Sequence, residues 1–376
     1  MPSELFSAEV NMSLRESNID RLLRAFTGRK PDRVPLHEFL VHSPTLEFVM
    51  GRTLAGGEAG VYTTADVIEY EKKTAEKTRR PHVIAQEART LSTLTITPAE
   101  YLEFCQRSSI DAMVVPLSYT GQEGLLTRGR ITDWQDLDRM IPPPDMGTVR
   151  QYLQQYIDVA RGTGVGVAAW VHSCFARTYE LLGFENFAVK LFDDRAFIEH
   201  VMNVFTTYST AVAEMVAEME ISYFWVADDI ADSRSLLISP PMIEELWLPR
   251  TERILAPLKA KKIPIAYHCD GDLKDVLPLA FRLGVNALQP FQPNCNDIYD
   301  LKRRYGDRIC LMGNLDIAGP LAFGTPEEVA EDTRQHIEAL SPGGGYVLGS
   351  SHSITPAVKP ENFTAMVETV IQYGAY

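Results

Sequence analysis

Cysteine and positive charge are scarce in this chain of 376 residues. The five cysteines are widely spaced and include no CxxC pair, which is typical of reduced thiols rather than of a disulfide framework. The 36 Lys and Arg residues face 50 Asp and Glu residues, and the formal net charge of -14 argues against nucleic acid or an anionic membrane as a partner. The first residues show no secretory signal, and no apolar run is long enough to span a bilayer. We therefore expect a cytoplasmic protein.

Motifs of nucleotide binding and of several covalent mechanisms are missing as well. The glycines at 343–345 precede a predicted strand instead of opening a helix, so they predict a tight turn, and we expect no nucleotide cofactor. No GxSxG nucleophile elbow occurs. No lysine falls at the end of a predicted strand, which argues against Schiff-base chemistry.

Hydrophobic residues make up 45% of the chain, which is enough for a large core. They concentrate in short segments, each followed by sequence of helical periodicity, and this alternation predicts an α/β protein with a single (β/α)8 barrel, or TIM barrel. A doubly wound open sheet is the competing fold. The predicted strands cover residues 34–40, 110–116, 164–172, 221–229, 263–272, 285–291, 309–316 and 344–352.

The barrel is expected over residues 31–376, after an N-terminal arm and helix at residues 1–30. Helix starts are marked at Thr97, Ser239 and Thr325, where proline follows a capping residue directly. A further helix with alternating charges is predicted over 65–79.

Polar side chains follow the predicted strands where each strand ends, whereas the strand starts show no such enrichment. In a (β/α)8 barrel these ends converge on one face, which carries the active site. Carboxylates and imidazoles held together there shift one another's pKa values, as acid–base or metal chemistry requires. The residues at the strand ends are His37, Glu38, His172, Ser173, Asp228, Asp229, His268, Asp270, Gln289, Gln292, Asn314, Asp316, Ser351 and His352.

The fifth predicted strand ends in two of these residues, His268 and Asp270, and Gly271 then lets the chain turn away. Residues i and i+2 of a strand share a face, so these two side chains are expected to point the same way and Cys269 the opposite way. Such a pair suits acid–base or metal chemistry. The other interpretation is that both side chains only satisfy loop amides.

The order of short motifs along the chain resembles the uroporphyrinogen decarboxylase superfamily. The motifs are Asp32-Arg-Val-Pro, Asp228-Asp, Ser239-Pro, His268-x-Asp-Gly, Gly313-Asn-x-Asp, Gly344-Gly-Tyr and Pro360-Glu-Asn. The resemblance covers nearly the whole chain and implies a single (β/α)8 barrel. Because the family often pairs its barrels, it also implies a homodimer. The superfamily has two functional branches, and this sequence departs from both.

True uroporphyrinogen decarboxylases carry an arginine-rich motif after the first strand, which holds the carboxylates of the tetrapyrrole. The matching segment here, residues 37–47, contains no arginine. Each substrate carboxylate needs a cationic or fork-like partner, and Arg177 after the third predicted strand can bind only one. Decarboxylation in the heme pathway is therefore disfavoured.

The second branch comprises corrinoid-linked methyltransferases, whose zinc is held by His-x-Cys on strand five and by a further cysteine near strand eight. By resemblance, His268 keeps the histidine, Asp270 stands in place of the first cysteine, and His352 falls near the second. Two imidazoles and a carboxylate are a known ligand set for a catalytic divalent metal. Without a metal, the same groups can bind substrate or act as acid and base.

The leading prediction is an enzyme that moves a methyl group between a small methylated substrate and a corrinoid or thiol acceptor. A separate protein would carry the corrinoid, and a divalent metal such as zinc would be bound by His268, Asp270 and His352. The alternatives are a decarboxylase or other lyase acting on a small carboxylate, and a ligand-binding barrel without catalysis. The predicted catalytic residues are His268, Asp270, Asp228 and His172, and the predicted substrate-binding residues are His37, Glu38, Asp229, Arg177, Gln289, Asn314 and Asp316.

Overall fold

The computed structural model of the protein describes residues 15–54, 91–119, 131–140 and 142–376. Seven parallel strands form one sheet, and their spatial order is their order in the chain. This order excludes the doubly wound alternative, in which the strand order reverses at a switch point. The strands are β1 (Ala112–Pro116), β2 (Gly166–His172), β3 (Tyr223–Ala227), β4 (Ile265–His268), β5 (Ala287–Gln289), β6 (Cys310–Met312) and β7 (Tyr346–Val347).

Helices alternate with the strands, as the hydrophobic pattern predicts. Thr97 and Thr325 each form a complete capping box, whereas Ser239 makes no side-chain capping bond. The predicted helix over 65–79 lies outside the described residues. The α-helices are α1 (Ile19–Phe26), α2 (Thr45–Met50), α3 (Pro98–Ser108), α4 (Met146–Ala160), α5 (Phe175–Leu182), α6 (Phe184–Asp193), α7 (Arg195–Val216), α8 (Pro240–Met242), α9 (Leu248–Ala260), α10 (Val276–Leu283), α11 (Ile298–Tyr305), α12 (Pro320–Phe323), α13 (Pro326–Leu340) and α14 (Pro360–Tyr373).

Two further helical segments complete this list. A 3-10 helix covers Trp134–Arg139, and a π-helical turn at Ile243–Trp247 joins α8 to α9. Among the described helices, none combines the length and the apolar character needed to cross a bilayer.

The first predicted strand, 34–40, does not form a strand. Leu36 makes only an isolated parallel bridge to Leu348, and its carbonyl accepts the backbone N–H of Asp111. The segment therefore lies between the end of β7 and the start of β1, where an eighth strand is expected. A regular ladder is prevented because Pro35 has no N–H and the Leu36 N–H binds the Asp111 carboxylate at 3.1 Å.

Side chains of the strands alternate between the interior of the sheet and the surrounding helices. At the carboxyl ends of the strands, one row of paired residues runs across β2 to β5 and consists of His172, Ala227, His268 and Gln289. The row two residues earlier consists of Trp170, Trp225, Ala266 and Ala287. Imidazoles and an amide thus lie directly above large buried rings.

A buried cluster of charges lies at the opposite end of the sheet, just before β1. The Asp111 carboxylate accepts two backbone N–H groups at 2.8 and 3.1 Å and lies 3.4 Å from Arg21 and 3.7 Å from Arg33. Arg21 also binds both carboxylate oxygens of Asp32, at 2.7 and 2.9 Å. Helix α1 closes this end, because it contributes buried side chains to the interior cluster, namely Leu22, Ala25 and Phe26.

Candidate active site at the carboxyl ends of the strands

His268, Asp270 and His352 come together where β4 meets the loop after β7. The Nε2 atom of His352 is 3.2 Å from Oδ2 of Asp270, and Nε2 of His268 is 3.8 Å from Oδ1 of Asp270. One potential ligand atom of each residue lies within 4.8 Å of the other two. The fold therefore assembles the three residues that the sequence assigns to a metal, and we call them the His–Asp–His cluster.

The charges in this cluster stabilise one another. Burial raises the pKa of Asp270, but the hydrogen bond from His352 and the charge of His268 outweigh it, so the pKa lies below its ordinary value. Burial lowers the pKa of His352, but the Asp270 carboxylate outweighs that effect and raises the pKa above its ordinary value. Asp270 is therefore ionised near neutral pH, which is the form that binds a cation.

One oxygen of Asp270 has no hydrogen-bond partner among the described residues. Its Oδ1 atom is buried and accepts no hydrogen bond in the described structure. An unsatisfied buried acceptor costs about 1–3 kcal/mol. A divalent cation would satisfy this oxygen, and two imidazole nitrogens with one carboxylate would leave a coordination position for substrate or water. The His–Asp–His cluster thus fits a divalent metal, at a harder site than one built from thiolates.

His268 is held on two sides. Its Nδ1 is hydrogen-bonded to Oε1 of Gln289, the next residue in the row of strand ends. That bond places a hydrogen on Nδ1 and turns Nε2 toward the carboxyl groups of Asp229 and Asp270. The ring of His268 also stacks on Phe39, with centroids 5.2 Å apart. Gln289, which is predicted to bind substrate, is thus hydrogen-bonded to His268.

Asp229 lies beside the cluster and fixes its backbone. Its Oδ1 accepts the backbone N–H of Asp270 at 2.9 Å and is 3.8 Å from Nε2 of His268. Burial raises the pKa of Asp229, and the charge of His268 opposes this only in part. Asp229 therefore places a second carboxyl group next to the His–Asp–His cluster.

His172 is at the end of β2, on the other side of the same row. Its Nδ1 is 2.8 Å from the Ser118 hydroxyl, and its Nε2 accepts from Nη2 of Arg177 at 2.8 Å. Burial and then the charge of Arg177 lower the pKa of His172 well below its ordinary value. His172 is thus a neutral imidazole, and Arg177 is further bound to Glu180 through Nη1 at 2.6 Å.

Asp228 is fully buried and its carboxylate is occupied. It accepts the backbone N–H groups of residues 174–176 at 3.1, 3.0 and 2.6 Å, and the indole N–H of Trp247 at 2.8 Å. Burial raises its pKa to about 6 despite these bonds. Asp228, which is predicted to be catalytic, therefore anchors the first turn of α5.

His37 and Glu38 are buried in the segment 34–40, between β7 and β1. Nε2 of His37 is 2.5 Å from the Tyr223 hydroxyl, and burial lowers the pKa of His37 to about 3. Glu38 accepts the backbone N–H and the hydroxyl of Ser350 at 3.0 and 2.5 Å, and burial raises its pKa to about 8. Both side chains are therefore uncharged near neutral pH.

Asn314 and Asp316 hold the turn after β6. The Asn314 amide donates to the Phe291 carbonyl at 2.5 Å, and its oxygen is 3.2 Å from Nε2 of His336. Asp316 accepts the backbone N–H of Ala318 at 2.8 Å. Neither side chain contacts the His–Asp–His cluster in the described structure.

Sequence reasoning missed four residues next to the site: Phe39, His42, Ser118 and Trp170. His42 lies near His352, whose charge adds to the effect of burial in lowering the pKa of His42. Phe39 lies two residues after His37, and Ser118 lies two residues beyond the end of β1. Both would have been found if the alternation of side chains had been extended past the ends of the strands.

The chain matches the sequence profile described as uroporphyrinogen decarboxylase (URO-D) over residues 72–373. It is 23% identical over 279 residues to the uroporphyrinogen decarboxylase of Hydrogenovibrio crunogenus, which covers 70% of this chain and 75% of that enzyme. A segment of 79 residues is 38% identical to the uroporphyrinogen decarboxylase of Methylococcus capsulatus and covers 21% of this chain and 22% of that enzyme.

Among solved structures, a methyltransferase from Methanosarcina mazei superposes with a TM-score of 0.63 at 17% sequence identity. The superposition covers 96% of this chain and 100% of that chain. At this identity the likeness concerns the fold, and a fold by itself does not determine a function. The profile match extends over most of the sequence, and the chain belongs to the uroporphyrinogen decarboxylase (URO-D) family.

Proposed function

We propose that the protein is an enzyme that moves a methyl group between a small methylated substrate and a corrinoid or thiol acceptor. The observation that carries this proposal is the convergence of His268, Asp270 and His352, with one buried carboxylate oxygen left without a partner. The fold shared with the Methanosarcina mazei methyltransferase is compatible with it. A separate corrinoid protein and a homodimer belong to the same proposal by family resemblance.

In such a transfer the bond between the methyl carbon and its heteroatom breaks, and the electron pair stays on the heteroatom. The methyl carbon forms its new bond with the electron pair of the acceptor, and the heteroatom takes up a proton. A zinc ion held by the His–Asp–His cluster would supply Lewis-acid chemistry at this point. Asp270 offers the unpaired Oδ1, and His268 offers Nε2 in an orientation fixed by Gln289.

Uroporphyrinogen decarboxylase activity itself is not proposed. The segment 37–47 has no arginine, and His37 and Glu38 within it are buried and uncharged near neutral pH. Arg177 offers one guanidinium, which already binds Glu180. Among the described residues at this end of the sheet, a substrate with many carboxylates would find too few cationic partners.

A decarboxylase or other lyase acting on a small carboxylate is the second candidate. The observation that favours it is Arg177, which is buried beside His172 with its Nε unpaired. Release of CO2 from a panel of small carboxylates by the metal-free protein would support this candidate over methyl transfer.

The first experiment is a metal analysis of the purified protein, followed by zinc titration of the metal-free form in a calorimeter. We expect one site per chain, and a loss of affinity of at least about 100-fold in His268→Ala, Asp270→Asn and His352→Ala, since each removes a ligand. The matched control is His200→Ala, because His200 is exposed on α7. Equal zinc affinity in all four variants would contradict the metal site.

The second experiment measures turnover. Protein loaded with zinc is mixed with cob(I)alamin and with methoxylated aromatics or methylamines, and methylcobalamin formation is followed by absorbance. We expect product with wild-type protein and with His200→Ala but not with Asp270→Asn. Ligand binding without turnover in the wild type would overturn the enzymatic proposal and favour a binding barrel.

A further inference from the structure

Buried polar atoms without hydrogen-bond partners gather around the candidate site. Of nine such side-chain atoms in the described residues, five belong to the strand-end site or to the rings directly beneath it: His42 Nδ1, Trp170 Nε1, Arg177 Nε, Trp225 Nε1 and Asp270 Oδ1. Native proteins leave few buried polar groups unsatisfied, and each costs about 1–3 kcal/mol. Their concentration in one place indicates that a polar ligand completes them.

These atoms divide by chemistry. On the side of His352, Asp270 Oδ1 is an acceptor, and we call this side the acceptor end. On the side of His172, Arg177 Nε and Trp170 Nε1 are N–H donors, and we call this side the donor end. Trp170 belongs to the donor end because its ring centroid lies 5.0 Å from that of His172.

The two ends face each other across the row of strand ends. His172 is on β2 and His268 on β4, with β3 between them, so their backbones are roughly 10 Å apart at the usual strand spacing. Both side chains project toward the interior, which shortens the gap between their functional groups. The ring of Phe39 packs against both Trp170 and His268, with centroids 4.8 and 5.2 Å apart, and a substituted benzene ring lying against Phe39 would be about long enough to reach both ends.

The donor end is built for a single anion. Arg177 is only 8% exposed, and Nη1 binds Glu180 while Nη2 binds His172. The Nε–H is left without an acceptor, and the Ser118 hydroxyl is 2.8 Å from Nδ1 of His172. A carboxylate oxygen would satisfy this N–H through a charge-assisted bond, which is about twice as strong as a neutral one.

We infer that the substrate is a small methylated monocarboxylate. Its carboxylate binds at Arg177, and its methylated oxygen or nitrogen points toward His268, Asp270 and His352. This inference rests on the proposed function and narrows its substrate class. Neutral methyl donors leave the Arg177 Nε–H unsatisfied, and polycarboxylates exceed the one guanidinium that the donor end provides.

The test uses two probes of equal shape, 4-methoxybenzoate and the neutral 4-methoxybenzamide, titrated into the metal-free full-length protein. We expect the carboxylate to bind at least about tenfold more tightly than the amide, which corresponds to roughly 1.4 kcal/mol. Arg177→Gln should abolish this preference, while Arg234→Gln, at an arginine whose side chain is 87% exposed, should keep it. Equal affinity of wild-type protein for both probes would overturn the inference.

A second variant keeps the test decisive if Arg177→Gln fails to fold. Glu180→Gln releases Arg177 from its ion pair, and we expect it to strengthen 4-methoxybenzoate binding severalfold without changing 4-methoxybenzamide binding. No strengthening would count against the donor end. Because these measurements need neither metal nor methyl acceptor, tight carboxylate binding without methyl transfer would overturn the proposed function and leave only the carboxylate site at Arg177 standing.

Discussion

The two ends of the sheet bury charge in opposite ways. Before β1, Asp111 is completely buried and is matched by Arg21, Arg33 and two backbone N–H groups. At the strand ends, Asp270 is partly buried beside two imidazoles and keeps an oxygen without any hydrogen bond. Charge is satisfied within the chain at the first end and left incomplete at the second.

The difference separates stabilising charges from binding charges. A buried ion whose partners are all present holds segments together, and removing one partner leaves the others buried and uncompensated. A buried polar group without a partner lowers stability until a ligand supplies one. In (β/α)8 barrels, with which this seven-stranded sheet is consistent, the first pattern is typical of the amino ends of the strands and the second of the carboxyl ends.

The largest effect on stability should come from the end of the sheet before β1, where the buried charges have partners. Asp111→Ala leaves Arg21 and Arg33 buried without their carboxylate, and we expect the free energy of unfolding to fall by about 3–5 kcal/mol in urea titrations. The control is Asp20→Ala, which breaks an exposed pair with Arg24 and should change stability by about 0.5 kcal/mol or less. A similar loss in both variants would erase the contrast between the two ends.

The next effect depends on pH. Burial raises the pKa of Glu38 to about 8, so between pH 4.5 and 8 the unfolded chain releases a proton that the folded chain retains. Stability should therefore fall as the pH rises through this window and level off above it. Glu38→Gln should remove roughly 2–3 kcal/mol of that fall, less than the full shift because buried sites relax.

The measurement for Glu38 is urea unfolding at pH 5 and at pH 8.5. Glu361→Gln, at an exposed position in the first turn of α14, serves as the matched control and should keep the wild-type slope. An unchanged slope in Glu38→Gln would show that this carboxyl is ionised in the folded protein.

Two aspartates at the carboxyl ends of the strands, Asp228 and Asp270, allow the same comparison of satisfied and unsatisfied carboxylates within one end of the sheet. Asp228→Asn should lower stability by about 1–3 kcal/mol, because one amide oxygen replaces two carboxylate oxygens that accept four donors. Asp270→Asn should lower the stability of the metal-free protein by less, about 1 kcal/mol or below, because Oδ2 pairs only with His352 and Oδ1 has no hydrogen-bond donor. Thermal unfolding without metal tests both, and the reverse order of stability would refute the distinction.

The smallest effect concerns the orientation of the His268 ring. Gln289→Leu removes the acceptor that keeps the hydrogen of His268 on Nδ1, and we expect zinc affinity to fall about 10–100-fold with little change in stability. Gln289→Glu keeps an acceptor and should retain most of the affinity. Calorimetric titration with zinc measures both variants, and equal affinity of Gln289→Leu and wild type would show that stacking on Phe39 is sufficient.

Periodicity alone located most of the framework. The strands from 110–116 onward all appear at their predicted places, although β5, β6 and β7 are shorter than the apolar segments that predicted them. The prediction of a strand at 34–40 was wrong, because the carboxylate of a distant residue, Asp111, accepts the Leu36 N–H that a regular ladder would need. Nothing local in the segment reports that competition.

The candidate site could also be predicted in part from the alternation of side chains along the strands. Strand parity put His268 and Asp270 on one face and Cys269 on the other, and the structure places Cys269 in the outer core. His352 was reached by resemblance, and the fold brings it to Asp270. Gln289 was recognised as a strand-end residue, but its contact with His268 depends on the register between β4 and β5.

The sequence by itself determined where the strands end and which polar groups gather there, because side-chain alternation and strand-to-helix order are local properties of the chain. Only the tertiary structure decided which of those groups are occupied. Asp228 and Asp270 look alike in sequence, yet the first meets the backbone of residues 174–176 and the second meets no donor for its Oδ1. Hydrogen-bond partners come from segments distant in the chain, so the fold alone assigns one aspartate to structure and leaves the other open to a ligand.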